Sequence, residues 1–434
     1  MPRRHCLGAL VGSATKGKPG AGAKSSAEIA PAIARTGKYR LRQEAIIRSA
    51  VEVLNHKGVK GMTLAEVAAK LKLAPTGIIY YFPSKEELAA ACFLKAIEAY
   101  NRLIDEAARG STAEARLANL VRRYFAFRRA VATGAADPIA FFNDVRALGD
   151  TGVNEAYVAM FRRARALLEP APPAGIDRSA LNARTHHILS QLFWAVAWLP
   201  QYDPDDFERA GERTLDIVEH GVGARGRAWA PAPLDFPMAR PAAKGAWEAF
   251  LRSATELINE QGYLGASVEK ISGRLNVTKG SFYHHNEAKD DLVVACFERT
   301  IDIMRGAQRA AERLAVSGWD RLCATSAALV ELQVSGAAPQ LRTSAATSVP
   351  EAIQPQLIQK FDRVSGYFAA TISDGIADGS IRPIDANICA QMITGALNAA
   401  SELRFWARGL SPKQASAVFL RPLFEGMTAS AAFP

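Results

Sequence analysis

Apolar residues recur at three- and four-residue spacing along most of the chain, the period of helices with one buried face. Ile46, Ile47, Ala50, Val53 and Leu54 make one such face on a helix starting near Arg40, and Gly58 is placed to stop it. Leu64, Val67, Ala68 and Leu71 mark a short helix opened by the capping box Thr63-Leu-Ala-Glu66. Lys72, Leu73 and Ala74 make a tight turn. Pro75 suits the first position of a third helix, because its missing N–H would have no helical partner there. That helix ends in Tyr80, Tyr81 and Phe82, and Ser84 to Glu87 is a second capping box that opens a longer helix. Two short helices across a tight turn, then a capped third, is the helix-turn-helix pattern. Helical periods continue over 114–131, 138–148, 154–168, 179–198 and 205–222. No stretch alternates as a strand does, so the whole chain reads as all-α.

The pattern then repeats. With a shift of 204 the region around 48–93 aligns with 252–297 without a gap. Arg48, Asn55, Gly58, Gly61, Lys85 and Cys92 match Arg252, Asn259, Gly262, Gly265, Lys289 and Cys296, and Thr63 pairs with Ser267. Matched glycines and N-caps in one register point to two copies of one unit. The predicted organisation is a basic disordered arm (1–37), a helix-turn-helix domain (38–86), a larger helical domain (87–222), a Pro- and Gly-bearing linker (223–243), a second helix-turn-helix domain (244–290) and a second helical domain (291–434).

Composition changes this picture little. A net charge of +10 suits a polyanionic partner. Five widely spaced cysteines without a C-x-x-C read as free thiols in a reducing cytoplasm. No apolar run reaches membrane-spanning length. No catalytic constellation emerges from spacing, and nothing calls for a metal or a cofactor.

The double pattern resembles the TetR family of bacterial transcriptional regulators. Gly58, Thr63 to Ala68 and Tyr80 to Leu88 carry the resemblance in the first copy; Gly262, Ser267 to Ile271, Lys279 to His285 and Lys289 to Leu292 carry it in the second. The resemblance implies a three-helix DNA-binding head, followed by a helical domain that binds a small ligand and dimerises. The copies depart from the pattern at Ile79, where the family has Tyr, at Asn286 to Ala288, and at Lys270, which stands in place of the capping acid Glu66. The last two differences predict a looser frame, or weaker DNA binding, for the second head.

The second short helix of each head is expected in the major groove. Thr76, Gly77, Tyr80 and Tyr81 would face DNA in the first head; Thr278, Lys279, Gly280, Ser281, Tyr283 and His284 would do so in the second. Lys85 and Lys289 are implied phosphate contacts at helix starts. Thr63 and Ser267 can cap their helices and touch phosphate, and Tyr39, Arg40 and Arg42 can reach the backbone or minor groove. Phe82 reads as core. The run Arg122, Arg123, Arg128, Arg129 reads as a solvated face. Candidates for an apolar ligand pocket are Phe125, Phe142, Phe161, His187 and Trp194 in the first half and Phe368 and Trp406 in the second. Adjacent His186 and His187 point to different helix faces and cannot chelate together.

The resulting expectation is a cytoplasmic, non-enzymatic regulator, a repressor of a double-stranded DNA operator released by a small apolar effector. The last two helices of each half would form a four-helix bundle, making the monomer a pseudo-dimer; a homodimer is the alternative. Two competing readings are a tandem with one working DNA head and an all-α enzyme.

Overall fold

The computed structural model describes residues 26–169, 177–237, 245–262, 265–276, 289–343, 345, 349 and 353–427. The first half contributes α1 (Ser26–Gly61), α2 (Leu64–Lys70), α3 (Pro75–Ile79), α4 (Lys85–Ala107), α5 (Ala113–Ala132), α6 (Thr151–Leu168), α7 (Arg178–Trp198) and α8 (Phe207–His220). The second contributes α9 (Ala246–Gln261), α10 (Val268–Leu275), α11 (Lys289–Glu312), α12 (Gly318–Ser335), α13 (Gln354–Ala377), α14 (Ala386–Ala399), α15 (Leu403–Trp406) and α16 (Pro412–Glu425). The fold is all-α; among the described residues extended pairing is limited to one isolated bridge, Gly223 to Ile381. None of the described helices is long and apolar enough to cross a membrane. The chain divides into two compact units, one ending at Ala45 and a body beginning at Ile46. Helix α1 opens at Ser26, so the arm expected over 1–37 overlaps its first turns; the Ala-rich sequence there favours helix.

The repeat is a repeat of backbone geometry. Gly58 and Gly262 break their helices with φ of 68° and 72°, a region that favours glycine. The side chains of Thr63 and Ser267 accept from the N–H of Glu66 (3.2 Å) and Lys270 (3.3 Å). Lys72 and Asn276, again 204 apart, take left-handed φ of 54° and 53° just after α2 and α10. Even the Glu-to-Lys difference has a counterpart. Lys57 pairs with Glu66 in the first head. The matching positions in the second are Gln261 and Lys270, and Lys270 Nζ donates to Gln261 Oε1 and to the Gly265 carbonyl, both at 2.8 Å. Donor and acceptor have changed places across the same gap, which offsets the loosening expected from Lys270.

A matched asparagine fixes each head to its helical domain. Asn55 Nδ2 donates to the Ile139 carbonyl (2.9 Å), and Phe141 N–H donates to Asn55 Oδ1 (2.8 Å). Asn259 does the same with the Gln340 carbonyl (2.9 Å) and Arg342 N–H (2.9 Å). This corrects one sequence expectation. Residues 138–148 do not form a continuous helix: 138–141 are non-helical, and a 3-10 helix runs from Phe142 to Leu148. The backbone groups that an α-helix would use are committed to Asn55, and a satisfied amide pair competes well with helix formation.

The two halves share one apolar core, which runs from the first head through both helical domains; the second head closes over a smaller core of its own around Phe250, Leu257, Ile271 and Phe297. At the seam α7 and α8 pack against α14 and α16, the four-helix arrangement expected from the sequence. Trp194 lies so close to α14 that a Cβ on Gly395 would sit 2.7 Å from its ring. Gln191 Nε2 donates to the Met392 carbonyl (3.0 Å), and His186 Nε2 donates to that of Ala399 (3.0 Å). Arg382 reaches the Gly221 carbonyl (2.6 Å) and pairs with Asp216 (2.8 Å), and Arg213 pairs with Asp385. The connecting stretch after α8 is pinned as well. Val222 N–H donates to the Phe424 carbonyl (2.9 Å), Trp229 packs edge-on against Phe424, and Phe236 is buried beside Gly306.

Replacing Gly395 by Val overpacks this seam. The substitution should lower stability by about 1–3 kcal/mol in chemical denaturation. Adding Trp194→Ala should recover part of the loss; a double variant no better than Gly395→Val would show that the close approach does not set the seam.

Candidate nucleic-acid interface and effector cavity

The first head buries one side of its helix-turn-helix and leaves the other to solvent. Ile78 and Phe82 plug the core, Phe82 being 5% exposed, as expected. Thr76 and Ile79 are exposed, and Tyr80 is 74% exposed. Gly77 and Tyr81 are half-buried, with the Tyr81 ring edge-on to Tyr80 at 5.1 Å. Thr63 and Ser84 serve as N-caps. Lys85 Nζ donates to the Lys60 carbonyl (2.9 Å), which holds its ammonium against the last turn of α1. Tyr39, Arg40 and Arg42 are exposed in the unit that ends at Ala45.

In the second head Ser267 is half-buried and caps α10. Thr278, Lys279, Gly280, Ser281, Tyr283, His284 and the segment 286–288 lie outside the described residues. Lys289 opens α11, and its side chain also lies outside them.

A cavity of about 60 Å³ sits where the halves meet. The first half supplies Tyr100, Arg128, Phe142, Tyr157, Ser190 and Trp194 to its wall; the second supplies Arg342, Asn398 and Glu402. Two of the sequence candidates, Phe142 and Trp194, therefore line it. The others are placed elsewhere. Phe125 packs over Gly211, Phe161 stacks on Trp406 at 3.6 Å, His187 lies edge-on to Phe419, and Phe368 is buried in the second half.

Ser190, Arg342, Asn398 and Glu402 of the wall were not singled out from sequence. Arg342 and Glu402 form a largely buried ion pair at 2.6 Å. Burial raises the Glu402 pKa, but Arg342, His186 and Arg146 outweigh it and hold the carboxyl below its usual range. Arg122, Arg123 and Arg129 behave as the expected solvated face, paired with Glu212, Glu106 and Asp205. Arg128 does not. Its guanidinium lies 5.9 Å from the Phe141 ring centre, and its buried Nε has no hydrogen-bond partner among the described residues. One signal could have found it: Leu117, Val121, Tyr124 and Arg128 fall on one stripe of α5, whose other members are buried.

Comparison with known proteins agrees with the geometry of the heads. The family model described as bacterial regulatory proteins, tetR family, matches the chain twice, at residues 46–92 and 250–296. Two segments of the chain are therefore copies of the N-terminal domain of this family. Over 79 residues it is 37% identical to the transposon Tn10 TetC protein of Escherichia coli, covering 18% of this chain and 40% of that protein. The chain thus spans less than half the length of this curated relative. Among solved structures, apo AibR is 21% identical with a TM-score of 0.35, over 42% of this chain and 99% of AibR. AibR in complex with isovaleryl coenzyme A and operator DNA is 20% identical with a TM-score of 0.34, over 42% and 98%.

The histidines beside the cavity have a pH consequence. Burial, reinforced by neighbouring His186, lowers the His187 pKa from 6.5 to about 3, and burial also lowers that of His186. Between these values the unfolded chain binds more protons than the folded one, so stability is present above about pH 6.5 and falls as pH drops. Denaturation between about pH 7 and about pH 5 should show a loss on the order of 1 kcal/mol per pH unit from His187. His187→Leu should flatten that slope; an unchanged slope would mean that His187 is protonated in the fold.

Proposed function

We propose that the chain is a DNA-binding transcriptional regulator, a repressor whose two halves act as a pseudo-dimer with two non-identical heads. The observation that carries this reading is the repeated head itself: two copies with a hydroxyl cap on the matching helix and a left-handed residue at the matching position after it, the first exposing Thr76, Ile79 and Tyr80 on the helix that follows the turn. A short helix offering a hydroxyl, an apolar side chain and a tyrosine suits a major groove with thymine methyls and phosphate within reach. The shared core and the four-helix seam support a pseudo-dimer of the single chain. The cavity near the seam supports an effector that shifts the spacing of the heads, a coupling between distinct sites.

Alanine substitution of Lys85 and of Lys289 tests both heads, with affinity for duplex DNA measured against salt. Each change should weaken binding to all sequences alike and reduce the salt slope by about one. If Lys85→Ala alone has this effect, the chain reads DNA with one head. If neither does, the phosphate assignment is wrong.

A further inference from the structure

The two asparagine clamps end on residues that line the same cavity. Asn55, on the first helix of the first head, holds the backbone of Ile139 and Phe141, and 139–142 form one wall. Asn259, at the matching position of the second head, holds the backbone N–H of Arg342, which lines the cavity from the second half and pairs with Glu402. The cavity is therefore one hydrogen bond away from each head. Its charge is unbalanced. Two guanidiniums, Arg128 and Arg342, line it against one carboxylate, Glu402, and Arg128 makes no ion pair among the described residues. Aromatic side chains line it as well, with Tyr100, Phe142 and Trp194 among them.

We propose that this single cavity is a shared switch for both heads, and that its ligand is a small aromatic monocarboxylate. The carboxylate pairs with Arg128 and competes with Glu402 for Arg342. Such a ligand is larger than the cavity of about 60 Å³, since a cavity of about 150 Å³ is what holds benzene; its entry therefore displaces the Phe141 and Arg342 walls, and Asn55 and Asn259 pass the shift to the two heads at once. An apolar effector of the kind expected from the sequence thus acquires an acidic group. The purpose of the switch rests on the regulator reading, but its operation can be tested without DNA.

Benzoate and its uncharged isostere benzamide are the probes, added to the full chain. Binding is read from tryptophan fluorescence, and the response from hydrogen exchange along 46–57 and 247–261. Benzoate should bind, benzamide should bind roughly tenfold more weakly or worse, and Arg128→Gln should weaken benzoate by a similar factor, as expected for loss of a charge-assisted contact. Exchange should change in both helices of the unsubstituted chain. In Asn259→Ala the response should persist at 46–57 and vanish at 247–261, and Asn55→Ala should give the mirror result. Absence of benzoate binding, or equal binding of benzamide, overturns the anion assignment. A response confined to one helix of the unsubstituted chain overturns the shared switch. If both helices respond while DNA binding is absent, the regulator reading fails and the switch stands.

Discussion

Trp194 needs the space that Gly395 leaves free, and this contact between α7 and α14 fixes how the halves meet. Around it lie buried polar groups, His186 and Gln191, whose hydrogen bonds end on backbone carbonyls of the other half. A slip of the seam by one residue would leave those groups unsatisfied in an apolar surround, at about 1–3 kcal/mol each. The apolar packing makes the seam strong; the polar bonds give it one register. The remaining geometry depends on that register. The ends of α8 and α16 meet through Val222 and Phe424, and Arg382 closes on Asp216. The connecting stretch is tied down along Trp229 and Phe236.

A covalent tandem escapes a constraint that binds a homodimer. In a two-fold interface each contact appears twice, so both partners must carry both residues of a pair. Here one half presents the tryptophan and the other the glycine. The heads have diverged under the same freedom, as the exchange of Lys57–Glu66 for Gln261–Lys270 illustrates. The cavity is also one-sided, its aromatic wall coming from the first half and its Arg342–Glu402 ion pair from the second.

The heads were legible in the sequence because their determinants are local: a hydroxyl three residues before an acid, a glycine where the helix must stop, a proline at a first turn. Asn55 and Asn259 stood out as a matched pair, but their role was hidden, because their partners lie more than 80 residues away. That same tertiary bond explains the misread helix over 138–148, whose local pattern was overruled by a side chain from another element. The cavity was half legible. Large aromatics such as Phe142 and Trp194 announce a buried apolar site, but they look the same in core and in pocket. Arg128 was concealed in a basic run whose other members are solvated, and Arg342 meets Glu402 across 60 residues of sequence.

The central claim is that one chain carries two different reading heads in a fixed relation. Selection of the full-length chain on random duplex DNA tests it most directly. The account predicts a site made of two different half-sites at one fixed spacing. Recovery of a perfect palindrome would contradict it, because two non-identical heads have no reason to prefer equal half-sites.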